Sequence, residues 1–180
     1  MTVGCGNIPN LALYNRLFSM KKHTLQADFF AYESPGTLPD SDRELLAYAR
    51  RALENSYSPY SNFKVGAAVR FANGEMMGGA NYENASYPMC ICAEQSVLAA
   101  AATRFPNEKI TAIAVTVRNP GKQITQPAAP CGACRQVIFE TEQKNRQEMR
   151  IILQGETGPV YVFEKGSDLL PLAFGGDYLG

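Results

Sequence analysis

The sequence predicts an α/β domain, a sheet of five strands covered by helices on its faces, and three observations predict it. Apolar residues switch along the chain between helical spacing and the alternating or continuous patterns of strands. Two cysteine-bearing segments each stand where a loop enters an expected helix. The chain of 180 residues, 46% of them apolar, is long enough to bury about two-thirds of its unfolded surface without a metal or disulfides to hold the core.

Residues 1–39 are punctuated by Gly4, Gly6, Pro9, Pro35, Gly36 and Pro39 and show no sustained periodicity, so they are expected to form an N-terminal arm, with the domain proper running over 40–180. Within that arm, 11–18 reads as a short helix. Residues 25–32 are apolar enough to pack on the main body or on a neighbouring subunit, and Met20 before Lys21-Lys22 is a candidate start of translation. Ser41-Asp42-Arg43-Glu44 has the form of a capping box. It precedes Leu45, Leu46, Ala49, Ala52 and Leu53 at helical spacing, which predicts a helix of about 15 residues. Strands over 63–71 and 75–80 flank Ala72-Asn73-Gly74, where Asn-Gly can supply the positive φ angles of a tight hairpin turn. The Ala-rich segment 94–102 reads as a helix, 110–117 as a buried strand, 134–143 as a helix, and 150–154 and 160–163 as strands, ahead of a short C-terminal element.

The charges balance, 17 basic against 17 acidic side chains. A chain without net positive charge lacks the electrostatic term that drives nonspecific nucleic-acid binding, so no nucleic-acid partner is expected. No apolar run approaches the ~20 residues needed to cross a bilayer, so no membrane partner is expected either. The first residues lack the basic opening and apolar stretch of a secretory signal, which points to a cytoplasmic protein. Thiols stay reduced there, and an odd count of five Cys suits metal binding or reactivity better than a disulfide framework.

Four of those cysteines fall in two groups, Cys90 and Cys92, and Cys131 and Cys134. The exposed N–H groups and dipole of a helix N-terminus lower thiol pKa values, so two such ends could converge on one Zn²⁺ with Cys92, Cys131 and Cys134 as ligands. Three protein ligands leave one position for water, as in catalytic rather than structural zinc sites. Glu94, in the first helical turn after Cys92, is a poor fourth ligand beside three thiolates and is better suited to shuttle protons. The bland alternatives are three buried apolar thiols, or a C-x-x-C redox pair that leaves Cys92 and Glu94 without a role. The only His, His23, falls in the arm and reads as a solvated residue. That removes His-ligated zinc, a serine triad and a Cys–His nucleophile from the main body.

Cys92-Ala93-Glu94 followed by Pro130-Cys131-Gly-Ala-Cys134 resembles the zinc deaminases. With Tyr57-Ser-Pro-Tyr-Ser-Asn-Phe-Lys-Val-Gly-Ala-Ala68 and Asn81-Tyr-Glu-Asn-Ala-Ser-Tyr87, the chain is similar over 41–179 to the small, three-cysteine, homotetrameric cytidine deaminases. The resemblance implies a three-layer α/β/α fold with a mixed five-stranded sheet, one Zn²⁺ per subunit on the three cysteines, and conversion of cytidine, and of deoxycytidine, to the uridine product and ammonia, with Glu94 moving the protons. It places Phe63 beside the pyrimidine, Ala93 among the substrate contacts, and Asn81 and Glu83 on the ribose. An amide and a carboxylate suit a neutral sugar diol, whereas a phosphate would be repelled by Glu83. Tyr87 and Phe174 would reach into a neighbouring subunit's site, so that a homotetramer completes its pockets. Cys90 matches no ligand of the family pattern and reads as a core residue or a neighbour of the ligands, and Cys5 as an arm thiol.

One departure stands out. Gln95 follows the glutamate where three-cysteine members carry Arg. With less positive charge beside the thiolates, the acidic limb of the pH profile should rise, and Arg135 after Cys134 would compensate in part. The nearest rival is a deaminase of another small aminopyrimidine, such as the blasticidin type, and a nucleic-acid-editing deaminase is a weaker one.

Overall fold

The computed structural model describes residues 21–180. The expected helix at 11–18, Cys5 and the alternative start at Met20 lie outside the described residues. Strands β1 (Phe30–Tyr32), β2 (Lys64–Phe71), β3 (Met76–Ala80), β4 (Ile110–Arg118), β5 (Arg150–Gln154) and β6 (Val160–Phe163) form one sheet in the order β1-β6-β5-β4-β2-β3. β4 and β5 pair parallel and the other neighbours antiparallel, so the sheet is mixed.

The period of two along each strand divides the core between two faces. Ala68, Ala114 and Ile152 point to one face and bury Leu45, Leu46 and Ala49 of helix α1 (Asp40–Ala52). Val69, Val115 and Leu153 point to the other and bury Val97 and Leu98 of α2 (Ala93–Arg104) and Ile138 of α3 (Gly132–Asn145). This is the three-layer α/β/α arrangement the sequence implies.

Six strands stand where five were expected. The extra one, β1, lies in the segment expected to be an arm. It pairs with β6 through Phe30↔Val162, Ala31↔Tyr161 and Tyr32↔Val160. Phe29, just before it, stacks on Tyr161 and Phe163 with ring centroids 4.7 and 5.2 Å apart, and Leu38 is buried against α1. Three residues are too few for alternation to show, and this strand exists because β6 offers it an edge.

The capping box is not formed. Helix α1 begins at Asp40 with Pro39 at its N-cap and no side-chain cap, so Ser41 is already helical, and its carbonyl accepts a hydrogen bond from Arg70 at 2.7 Å. Asp40 and Asp42 in the first turn complement the helix dipole instead. Asp42 is buried and meets Arg150 at 2.8 Å and Arg70 at 3.5 Å, which ties α1 to β5 and β2. The hairpin turn also differs in detail. Phe71 donates to Glu75 at 2.9 Å across residues 72–74 and only Gly74 has positive φ, +88°, so this is a three-residue loop with glycine in the left-handed position.

Two glycines set how closely the helices approach. A Cβ on Gly66 of β2 would lie 2.2 Å from the Ala49 carbonyl oxygen of α1, and one on Gly79 of β3 would lie 2.9 Å from Val97 of α2. The Gly66 obstacle is backbone that cannot rotate away. Gly66→Ala should therefore lower the unfolding free energy by at least about 2 kcal/mol in urea titration, an overpacking effect. An unchanged midpoint would show that α1 can lift off the sheet without cost.

Candidate active site

The site assembles at the N-termini of α2 and α3. Cys92 is the N-cap of α2, Cys131 the N-cap of α3, and Cys134 lies buried in the first turn of α3. Neither cap cysteine bonds its own helix through its side chain, which leaves the sulfurs free to face one another. Cys131 Sγ lies 4.0 Å from Cys92 Sγ and 3.5 Å from Cys134 Sγ, and all three sulfurs fall within 4.8 Å of one another. A tetrahedral zinc with Zn–S bonds of ~2.3 Å separates its sulfurs by roughly 3.8 Å, so the cluster has the right size.

Its protonation points the same way. The Cys92 thiol is lowered to about 7, chiefly by the hydrogen bond from Cys134. Cys134 is pushed up by that same contact, then by burial and by the charge of Glu94. The Cys92 thiolate thus suppresses ionisation of Cys134, and a divalent cation between the sulfurs relieves that repulsion. The residues fit zinc.

Glu94 is 5% exposed and lines the same cavity as Cys92 and Cys131. Burial raises its pKa, against the opposing pull of its own backbone N–H and of Cys134. A carboxyl that holds its proton more readily than an exposed one is suited to proton transfer. Gln95 is half-buried in the first turn of α2. Arg135 directs Nε to the Pro130 carbonyl and Nη1 to that of Leu169, both at 2.9 Å, so its hydrogen bonds go to backbone oxygens.

The cavity measures about 320 Å³ and runs from the cysteines to Phe63, Asn81 and Glu83. Asn81 Oδ1 accepts from Ser56 Oγ at 2.6 Å and from the Val65 N–H at 2.8 Å, and its Nδ2 donates to the Phe63 carbonyl at 2.9 Å. These backbone partners fix which way the amide faces and leave one N–H unspent. Glu83 Oε2 accepts from the N–H groups of Tyr60 and Ser61, at 2.8 and 3.3 Å, and Oε1 accepts from Ser61 Oγ. The Ser61 hydroxyl, followed by these amides, holds the Glu83 carboxyl below the usual carboxylate range, so it is an acceptor at neutral pH. Three of its about four lone-pair sites are filled. One donor of Asn81 and one acceptor of Glu83 therefore remain unspent in side chains that line the cavity.

Ala93 is fully buried at the first position of α2. Tyr87 and Phe174 stand outside the cavity of their own chain, 69% and 56% exposed, the first edge-on to Tyr60 and the second stacked on Tyr178. Cys90 is not a core residue. It is exposed at the cavity wall, where its sulfur accepts from the Asn84 N–H at 3.3 Å. Sequence reasoning missed Ser61, whose only signal was its place inside the Tyr57 to Ala68 segment. It also missed the cavity-lining Ala128 and Ala129, which carry no chemistry by which to find them.

Residues 39–147 match the family described as the cytidine and deoxycytidylate deaminase zinc-binding region. The chain is 40% identical over 134 residues to a cytidine deaminase of Halalkalibacterium halodurans, a match covering 74% of this chain and 94% of the relative. It is 34% identical over 143 residues to one of Mycobacterium tuberculosis, covering 79% and 96%. The crystal structure of cytidine deaminase from Burkholderia pseudomallei superposes with a TM-score of 0.64 at 42% identity, covering 73% of this chain and 97% of that one. The cluster should hold one zinc per chain through dialysis, and Cys134→Ser should bring the content measured by atomic absorption close to zero. Full zinc in that variant would show that the metal sits elsewhere.

Proposed function

The chain belongs to the cytidine and deoxycytidylate deaminase family, and on that premise we propose that it hydrolyses cytidine and 2′-deoxycytidine to the uridine product and ammonia in the cavity between Cys92 and Glu83. The observation that carries this reading is the pairing of two ends in one cavity. A buried carboxyl and three converging thiols stand at one end, and a hydroxyl-matching amide and carboxylate at the other. A zinc ion on Cys92, Cys131 and Cys134 supplies the Lewis acidity that makes a water nucleophilic near neutral pH.

The chain's own residues do the rest. Glu94 as carboxylate takes one proton from the attacking water and delivers it to N3 of the pyrimidine, then takes the second from the new C4 hydroxyl and gives it to the amine, so that the C4–N bond breaks as the C4 carbonyl forms and ammonia leaves. Phe63, half-buried at the cavity wall, packs on the ring, and Ala93 lies beneath the exocyclic end at the start of α2. The free N–H of Asn81 donates to a sugar hydroxyl while that hydroxyl donates to Glu83, which sets the distance of the ring from Glu94. The Glu83 charge disfavours phosphorylated substrates. Arg135 keeps a positive charge next to Pro130 and Cys131, where Gln95 brings none.

Tyr87 and Phe174 are the side chains we assign to a neighbouring subunit's cavity in a homotetramer, which accounts for two large apolar groups that are exposed and do not line the nucleoside cavity of their own chain. The product and the balanced charge suit nucleoside salvage in the cytoplasm. We place the deaminase domain at 40–180, with β1 as an added edge and the rest of 1–39 as an arm.

An ultraviolet assay over cytosine nucleosides, nucleotides and the free base tests this directly, and turnover of blasticidin but not cytidine would overturn it. Glu94→Ala should retain one zinc yet lose turnover by about three to four orders of magnitude; substantial remaining activity would remove Glu94 from the chemistry. Because one hydroxyl is read, cytidine and deoxycytidine should agree in kcat/KM to within about threefold, whereas a nucleoside lacking the hydroxyl they share should fall about 100-fold. Strong preference for ribose would show that Asn81 and Glu83 rearrange to bind a diol.

A further inference from the structure

One wall of the cavity is formed by Ala128 and Ala129, in the segment 119–130 that leads from β4 to Cys131. This segment has no helix or strand of its own, so its position is fixed from outside. It lies on the turn 155–158 between β5 and β6. The Ile124 carbonyl accepts from the N–H groups of Glu156, at 2.7 Å, and Thr157, at 3.3 Å. A Cβ on Gly155 would stand 2.5 Å from the Ile124 oxygen and 2.6 Å from that of Gln126. One on Gly158, whose φ is +85°, would stand 2.2 Å from the Thr125 oxygen. Three consecutive carbonyls of the segment therefore rest on two glycines, in space no side chain could share.

The turn is itself anchored from the sheet by buried polar groups. Thr116 Oγ1 of β4 donates to the Gly155 carbonyl at 2.9 Å. Gln154 Nε2 of β5 donates to the Gly158 carbonyl at 3.0 Å, while Gln154 Oε1 accepts from Arg50 of α1. Thr116 and Gln154 are 2% and 1% exposed, and the proposed chemistry uses neither. Buried hydroxyl and amide groups are expensive unless satisfied, so these bonds hold their partners firmly in place.

We propose that the turn 155–158, anchored by Thr116 and Gln154, positions the Ala128–Ala129 wall against the nucleoside and so tightens substrate binding from behind the loop. The metal end is insulated from it. Pro130 is held through its carbonyl by Arg135 at 2.9 Å and Cys131 caps α3, so a shift of 124–129 is absorbed before it reaches the sulfurs. The proposal rests on the reading of this cavity as the nucleoside site.

The test compares wild type, Gly155→Ala, Thr116→Val and Gly121→Ala, the last in the same segment but with its nearest obstacle 3.5 Å away. The readouts are KM and kcat for cytidine, the dissociation constant for uridine, zinc per chain and the melting temperature. Gly155→Ala should raise KM and the uridine constant by about tenfold or more, and Thr116→Val by about threefold, with kcat nearly unchanged. Zinc should stay at one per chain in both, and Gly121→Ala should behave as wild type. Unchanged KM and uridine binding in Gly155→Ala, or a fall in kcat that follows zinc loss or unfolding, would overturn the positioning role. If Gly155→Ala does not fold, Thr116→Val decides on the same readouts. A wild-type protein that neither deaminates cytidine nor binds uridine would overturn the reading of the cavity itself, whereas an active enzyme with insensitive variants overturns the clamp alone.

Discussion

Three sulfurs within 4.8 Å of one another cannot all carry charge unless a cation stands between them, and the rest of the site follows from that requirement. The sheet brings two helices to one face with their N-termini together, so that partial positive charge meets the thiolates from both sides. Gly79 allows α2 to lie against β3, and Arg135 closes the turn that carries Cys131 and Cys134. The position of Cys92 is set one residue earlier. Ile91 exchanges two backbone hydrogen bonds with Tyr82, at 2.9 and 3.0 Å.

That exchange links the cysteine end of the cavity to the end lined by Asn81 and Glu83. Tyr82 lies between Asn81 and Glu83, and Tyr57 on its other side donates to the Asn81 carbonyl and accepts from the Glu83 N–H. A small three-segment ladder therefore carries Tyr57, Asn81, Glu83 and Cys92 as one unit. The spacing between the two ends of the cavity is built into backbone hydrogen bonds rather than left to flexible side chains. Asn81 and Glu83 are further held by Ser56, Phe63, Val65 and Ser61, so the groups that would meet a ligand are fixed beforehand.

The parts of this arrangement that were legible in the sequence are those with local causes. Cys92-Ala-Glu94 and Pro130-Cys-x-x-Cys134 each describe a helix beginning, and the hairpin around Gly74 follows from a residue that tolerates positive φ. Helix α1 was legible from its apolar spacing, but its start was not. Pro39 begins the helix before Ser41 can cap it, and the Asp42 side chain of the first turn points instead toward Arg70 and Arg150, which are distant in sequence. Strand β1 has no pattern of its own, because pairing with β6 creates it. The residue types at 81 and 83 suggested sugar binding, yet how many hydroxyls they can take depends on donors from residues 56–65 that only the folded chain brings near.

The two ends of the cavity solve different electrostatic problems. At the Asn81 and Glu83 end, Glu83 stays charged because a hydroxyl and two amides surround it, and it can serve as a fixed acceptor. At the metal end Glu94 is buried close to three sulfurs, and desolvation dominates its affinity for a proton. The same side chain is thus held as an anion in one place and given a raised affinity for a proton in the other, by its donors in the first case and by burial in the second. The zero net charge of the chain conceals this division. The local negative sign at Glu83 is fixed by its donors, and the raised proton affinity of Glu94 by its burial.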